Sequence, residues 1–197
     1  MEDIKSILAA AEKNVEKIEE LFASYPFLGK GNQGFVYKIS PDKCVKVYKR
    51  PEDTLTESAA LKALQGATII PKLYEVGANY IIMEYIEGRQ VKQYLLSEGV
   101  ITKDLTEKIL LVLKEMKRLK IPRVDVRLKN MILTTSNEIK VIDHVNSFKK
   151  SNTIPVLLMN GLRKQGLLPS FLEHVKELDP ESYEQWKDAA QELMDKK

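Results

Sequence analysis

The stretch that decides the reading of this chain is Ile121–Val145, I-P-R-V-D-V-R-L-K-N-M-I-L-T-T-S-N-E-I-K-V-I-D-H-V. Asp125 and Asn130 sit in its polar opening, which gives way to a short apolar run from Met131 to Leu133. Thr135-Ser136-Asn137 reads as a turn, and a second apolar run, Val141-Ile142, ends on Asp143. Loop, strand, turn and strand deliver Asp125, Asn130 and Asp143 to one end of a hairpin. Oxygen ligands there suit a hard cation such as Mg²⁺, with one carboxylate left to handle a proton.

Working outward, residues 102–119 place Leu105, Ile109, Val112, Leu113 and Met116 on one face of an amphipathic helix that leads into this stretch. Upstream, Leu28–Ile39 contains Gly29, Gly31 and Gly34 in the pattern G-x-G-x-x-G. Phe35-Val36-Tyr37 follows at once, a strand signature, whereas a dinucleotide fingerprint would open a helix there. The glycines therefore read as a hairpin tip whose bare backbone N–H groups can close over phosphates.

Cys44–Tyr48 alternates as a further strand, with Lys46 between two valines. That pattern fits a strand's solvent face, and equally a fixed cation beside phosphate oxygens. Pro51 interrupts, and Thr54–Leu64 reads as a helix. Glu57, three residues after Thr54, fits a capping box; it also fits an ion pair with Lys46. Strands are expected at Ile69–Val76 and Tyr80–Met83 around Gly77-Ala78-Asn79, after which Met83–Gly88 leaves the sheet. At the start of the chain, Ile4, Leu8, Ala11, Val15, Ile18 and Phe22 draw one apolar stripe along a helix. Beyond Asp143 the spacing predicts a polar loop, an apolar patch at Ile154–Met159 and helices around Phe171 and Tyr183–Met194, with Phe171 and Trp186 in the core.

Composition narrows the function classes. The chain of 197 residues has net charge +3, too small to argue for nucleic acid or an anionic membrane surface. A single cysteine, Cys44, excludes an intrachain disulfide framework and suits a reducing compartment. No apolar run approaches the roughly 20 residues of a membrane span, and the N-terminus lacks a signal-peptide layout. The expectation is a soluble cytoplasmic protein without nucleic-acid or membrane partners.

In their order, these pieces resemble the protein-kinase-like superfamily over about Leu28–Val145: Gly-rich loop, strand lysine, helix glutamate, M-E-Y hinge, D-x-x-x-x-N, and I-D after a hairpin. The resemblance is to small bacterial-type Ser/Thr kinases with RIO-like and sugar-kinase-like features. It implies an α+β, two-lobed fold, with an antiparallel-sheet N-lobe carrying one helix and a shortened, mostly helical C-lobe. The expected divisions are an N-terminal helix at 1–24, an N-lobe at 25–84 and a C-lobe at 85–197. The implied activity is transfer of the ATP γ-phosphate to a hydroxyl, on a Ser/Thr side chain or alternatively on a small molecule or sugar. A pseudokinase that binds protein partners is the reading of a different class.

The same resemblance implies site roles. Leu28, Gly29, Lys30, Gly31, Asn32, Gly34 and Val36 would surround ATP, and Lys46 would touch its α and β phosphates with Glu57 fixing the lysine. Met83 would back the adenine pocket, with the Glu84 carbonyl and the Ile86 N–H bonding adenine. Asp125 would orient the acceptor hydroxyl, and Arg127, at the position of the usual lysine, would reach the γ-phosphate. Asn130 and Asp143 would hold Mg²⁺, with Mn²⁺ as a substitute. The chain departs from the family at Arg123-Val124-Asp125 for H-R-D and at Asp143-His144-Val145 for D-F-G, and it has no A-P-E. The missing arginine before Asp125 argues against switching by activation-loop phosphorylation, and His144 reads as a packing substitute. Lys149, Lys150, Arg163 and Lys164 form either an acceptor-binding rim or a solvated surface.

Overall fold

The structure, a computed structural model, describes residues 4–122, 124–144 and 153–195. The chain divides into two compact units, Met1–Ile86 and Glu87–Lys197.

The first unit opens with helix α1 (Ile4–Lys13), a 3₁₀ turn (Val15–Lys17) and the short helix α2 (Ile18–Leu21). Spacing predicts one continuous helix here. It breaks because Asn14 leaves helical space at φ −144°, ψ 84°, as befits a residue whose side chain competes for backbone hydrogen bonds. Strands β1 (Phe27–Lys30), β2 (Gly34–Lys38) and β3 (Lys43–Tyr48) follow, then helix α3 (Pro51–Ala63) and strands β4 (Leu73–Val76) and β5 (Tyr80–Glu84). All pairings are antiparallel, in the order β1-β2-β3-β5-β4. Strand β4 is shorter than the expected Ile69–Val76, because Pro71 has no N–H to give a ladder.

Strand alternation assigns the two faces of this sheet. Phe35, Tyr37, Val45, Val47, Tyr80 and Ile82 form one buried cluster with Ile7, Leu8, Ala11, Ile18 and Phe22 of the N-terminal helices. Phe22 stacks on Tyr37 at 4.7 Å between ring centroids. The Asn79 side chain donates to the Ala11 carbonyl at 3.1 Å, and the Ala78 N–H donates to Glu12 at 2.9 Å. These bonds fasten the β4–β5 turn to α1. On the other face Lys46 and Tyr48 meet α3, so neither face of β3 is left to solvent: Lys46 is only 9% exposed.

The second unit comprises β6 (Gly88–Gln90), α4 (Val91–Glu98), α5 (Lys103–Arg118), a 3₁₀ turn (Leu128–Asn130), β7 (Met131–Thr134), β8 (Ile139–Val141), α6 (Val156–Arg163), α7 (Leu168–Leu178) and α8 (Pro180–Asp195). Thr102 caps α5, its hydroxyl accepting from the Leu105 N–H at 3.2 Å. The apolar face foreseen for α5 is buried throughout, and so are Phe171 on α7 and Trp186 on α8. Strand β6 is too short for alternation to signal. It pairs with β7, and a Cβ on Gly88 would stand 2.3 Å from the Leu133 carbonyl oxygen, so the close approach requires glycine. The β7–β8 hairpin turns through Asn137 at φ 63°, a conformation asparagine tolerates.

The molecule is thus α+β, with an antiparallel-sheet first unit and a mostly helical second unit, as the resemblance implies. Among the described residues no helix is long and apolar enough to cross a membrane.

Candidate functional site

In the first unit the site is built on β3 and α3. Lys46 Nζ lies 2.6 Å from Glu57 Oε2, with side-chain exposures of 11% and 2%. The same oxygen accepts from the Tyr48 hydroxyl at 2.7 Å. Tyr48 follows Lys46 by two residues and so shares its face of the strand; the ammonium also sits 5.0 Å from the Tyr48 ring centroid. Two donors converging on one buried carboxylate oxygen hold the lysine at a fixed place, at energies above those of neutral hydrogen bonds.

The capping-box reading of Glu57 is overturned. Helix α3 begins three residues earlier than expected, with Pro51 in its first turn and Arg50 as an extended N-cap at φ −132°, ψ 129°. Proline suits that position because its missing N–H would be unpaired there in any case. Thr54 is consequently inside the helix, its buried hydroxyl without a hydrogen-bond partner among the described residues, and Glu57 has no capping duty.

The glycine-rich hairpin joins β1 to β2. Its three glycines differ in what demands them. A Cβ on Gly34 would fall 1.9 Å from the Val47 carbonyl oxygen, so this glycine serves the approach of β3. A Cβ on Gly29 or Gly31 would meet nothing within 4 Å, so the fold leaves both places open to a group outside it. Leu28 and Asn32 are exposed, and Val36 is the cross-strand neighbour of Lys46. Lys30 is drawn toward α2, 2.9 Å from Glu19 and over the Phe35 ring.

At the end of β5, Met83 and Ile86 are buried, each 8% exposed. Glu84 reaches back through its carboxylate to the Lys72 N–H at 3.0 Å, and its carbonyl receives the Cys44 thiol at 3.6 Å. Burial, reinforced by Glu84, pushes that thiol up to about 12. The Tyr85 N–H is taken by the Asp42 carbonyl at 2.9 Å, whereas the Ile86 N–H meets no acceptor among the described residues. An orphaned amide one residue past this engaged one suits a heterocyclic acceptor nitrogen.

In the second unit, Asn130 closes a 3₁₀ turn and its carbonyl accepts from the Ile142 N–H at 2.8 Å. With Met131 opposite Val141, Asn130 and Asp143 emerge from the same end of the β7–β8 hairpin. Asp143 is exposed and adopts φ 67°, a left-handed conformation that aspartate, like asparagine, tolerates. Among the described residues no cluster of three or more His, Cys, Asp or Glu could form a protein-only metal cage. Two oxygen donors at one hairpin end fit Mg²⁺, which commonly binds through one or two side chains with phosphates and water completing its shell.

Asp125 is 6% exposed, and its Oδ1 accepts from the Leu157 N–H at 2.6 Å, in the first turn of α6. Arg127 is exposed. His144 is 1% exposed with Nε2 2.8 Å from the Val141 carbonyl, as a packing role requires. Arg163 Nε lies 3.3 Å from Asn160, and Lys164 is exposed. Arg123, Val145, Lys149 and Lys150 lie outside the described residues.

Sequence reasoning passed over three residues at these places: Tyr48, which bonds Glu57, and Gln33 and Asp53, whose side chains meet at 3.3 Å. Tyr48 was legible from its period-two spacing to Lys46; Asp53 was legible as the residue one helical turn before Glu57. Gln33 carried no signal, because its partner depends on where the hairpin tip folds.

A Bacillus subtilis (strain 168) protein named "Putative serine/threonine-protein kinase YrzF" is 27% identical over 154 residues, covering 75% of this chain and 71% of that relative. The RIO domain pattern matches residues 33–159, a span that takes in Lys46, Glu57, Asp125, Asn130 and Asp143. The chain belongs to the RIO domain family, within the protein-kinase-like superfamily.

Proposed function

We propose that this chain is a phosphotransferase that uses ATP and a divalent cation to phosphorylate serine or threonine hydroxyls of a protein. The observation that carries the reading is the buried Lys46–Glu57 pair at 2.6 Å. A lysine held in this way is a fixed cation for the α and β phosphates, so its position costs little reorganisation when nucleotide binds. The bare backbone of the Gly29–Gly34 hairpin lies over the phosphates, and the Ile86 N–H and Glu84 carbonyl receive adenine against Met83.

In the second unit, Asn130 and Asp143 would hold a divalent cation such as Mg²⁺, which would supply neutralisation of phosphate charge. Asp125 accepts the hydrogen bond of the acceptor hydroxyl and takes its proton as the new oxygen–phosphorus bond forms and the bond from the γ-phosphorus to the bridging oxygen breaks, releasing ADP. The bond from Leu157 fixes the orientation of that carboxylate. Arg127 offers donors to the γ-phosphate oxygens. A serine or threonine acceptor is supported by the Bacillus subtilis relative, which is named a serine/threonine-protein kinase.

Incubation with Mg²⁺ and γ-labelled ATP in the presence of a protein panel tests the reading. Label is expected on serine or threonine, and Asp125→Asn is expected to reduce its rate by at least about 100-fold, the usual worth of a positioned base. Equal incorporation by the variant would remove Asp125 from this role, and label appearing only on sugars or metabolites would replace the acceptor class.

A further inference from the structure

The two buried carboxylates of α3 reach in different directions. Glu57 turns to β3, whereas Asp53, one helical turn earlier, turns to the glycine-rich loop: the Gln33 side-chain amide donates to Asp53 Oδ1 at 3.3 Å. The other oxygen of Asp53 receives Nε and Nη2 of Arg50 at 3.1 and 2.9 Å. The loop is fastened a second time through its backbone, the Gln33 carbonyl accepting from the Lys49 N–H at 2.8 Å.

An acidic residue in the first turn of a helix is ordinarily explained by the helix dipole. That explanation leaves Asp53 only 6% exposed for no purpose, since a surface carboxylate would serve the dipole without the cost of desolvation. Residues four apart share a helix face, so Asp53 and Glu57 also repel each other along α3. Their burial is sustained by partners from outside the helix. For Asp53 those partners are an arginine that could turn to solvent, its side chain being 71% exposed, and the tip of the glycine-rich hairpin.

We infer that Asp53 is a positioning residue for the glycine-rich loop, latching its tip through Gln33 so that loop and α3 hold one conformation together. Helix α3 then ties Lys46 through Glu57 and the loop through Asp53, and the phosphate-facing groups of the first unit are set by a single element. This inference rests on the proposed reading of the loop as a phosphate cradle.

The test uses the full chain and two ligands. Gln33→Ala and Asp53→Ala are each expected to weaken Mg-ATP binding about tenfold, the order of one hydrogen bond to a charged group. The double variant should lose no more than either single one, because both cut the same link. Adenosine, which has no phosphates for the loop to hold, should bind all of these variants as it binds the parent chain. Unchanged Mg-ATP affinity, additive losses, or an equal loss for adenosine would overturn the latch. If Asp53→Ala fails to fold, Gln33→Ala decides alone.

Hydrogen exchange separates the two levels of argument. Amides of Gly29–Gly34 in the ligand-free chain should exchange faster in Gln33→Ala, and unchanged rates would sink the latch. Faster exchange in a chain that binds neither Mg-ATP nor adenosine would leave the latch standing and remove the proposed function.

Discussion

Glu57 Oε2 carries both the Lys46 ammonium and the Tyr48 hydroxyl, which makes it the side chain whose loss the first unit should feel most. Glu57→Gln removes the anion of a buried pair, a change worth about 3 kcal/mol or more. Tyr48→Phe keeps the ring and deletes one hydrogen bond to a charged group, worth about 2 kcal/mol. Urea unfolding of the two variants should rank them in that order, and equal stability of Tyr48→Phe and the parent chain would contradict the geometry. Cys44 gives a pH dependence. Its thiol is pushed up from 9.0 to about 12 in the folded chain. Between those values the unfolded chain has released a proton that the folded chain keeps, so stability falls as pH rises above about 9 and is untouched below it. Burial raises Tyr37 and Tyr80 as well, and they act in the same sense. Thermal melts should therefore hold level from pH 8 to about pH 9 and decline above it, with a shallower slope for Cys44→Ala.

At the scale of elements, the glycine-rich hairpin separates residues that build the fold from residues that leave room. Gly34→Ala drives a methyl group into the Val47 carbonyl and should part β2 from β3, lowering the melting temperature by several degrees. Gly29→Ala meets open space at a φ that any residue adopts, so its melting temperature should match the parent chain's. Its Mg-ATP affinity should nevertheless fall, because the added methyl occupies the place left for phosphate. Calorimetry and nucleotide titration on the same pair of variants check both halves of this contrast. Helix α3 was the element hardest to read in advance. Proline ordinarily ends a strand and starts a helix with equal ease, and residue spacing cannot say which, so its start was placed three residues too late.

For the whole molecule, the N-terminal helices are part of the first unit's core. Ile7, Leu8, Ile18 and Phe22 are each at most 2% exposed against the sheet. At about 2 kcal/mol for each large buried side chain, their removal takes away roughly the whole stability of an ordinary domain. A chain beginning at Tyr25 should show no cooperative unfolding of the first unit by near-ultraviolet circular dichroism, while its second unit still melts.

Much of this architecture was legible from local pattern, because the α5 stripe, the alternation of β3 and the turn at Asn137 are each set by residues close together in the chain. The same holds for Asn130 and Asp143: a hairpin of that length has only one way to bring its ends together. Breaks within elements, such as Asn14, and strands of three residues, such as β6, fell below what periodicity can resolve. What only the tertiary structure decided was the set of partners. Glu57 could cap its own helix or pair with Lys46, and Lys46 could face solvent or α3, with nothing in the spacing to choose. Packing α3 on the second face of the sheet removed water from both side chains at once, and a buried carboxylate and ammonium must then find each other.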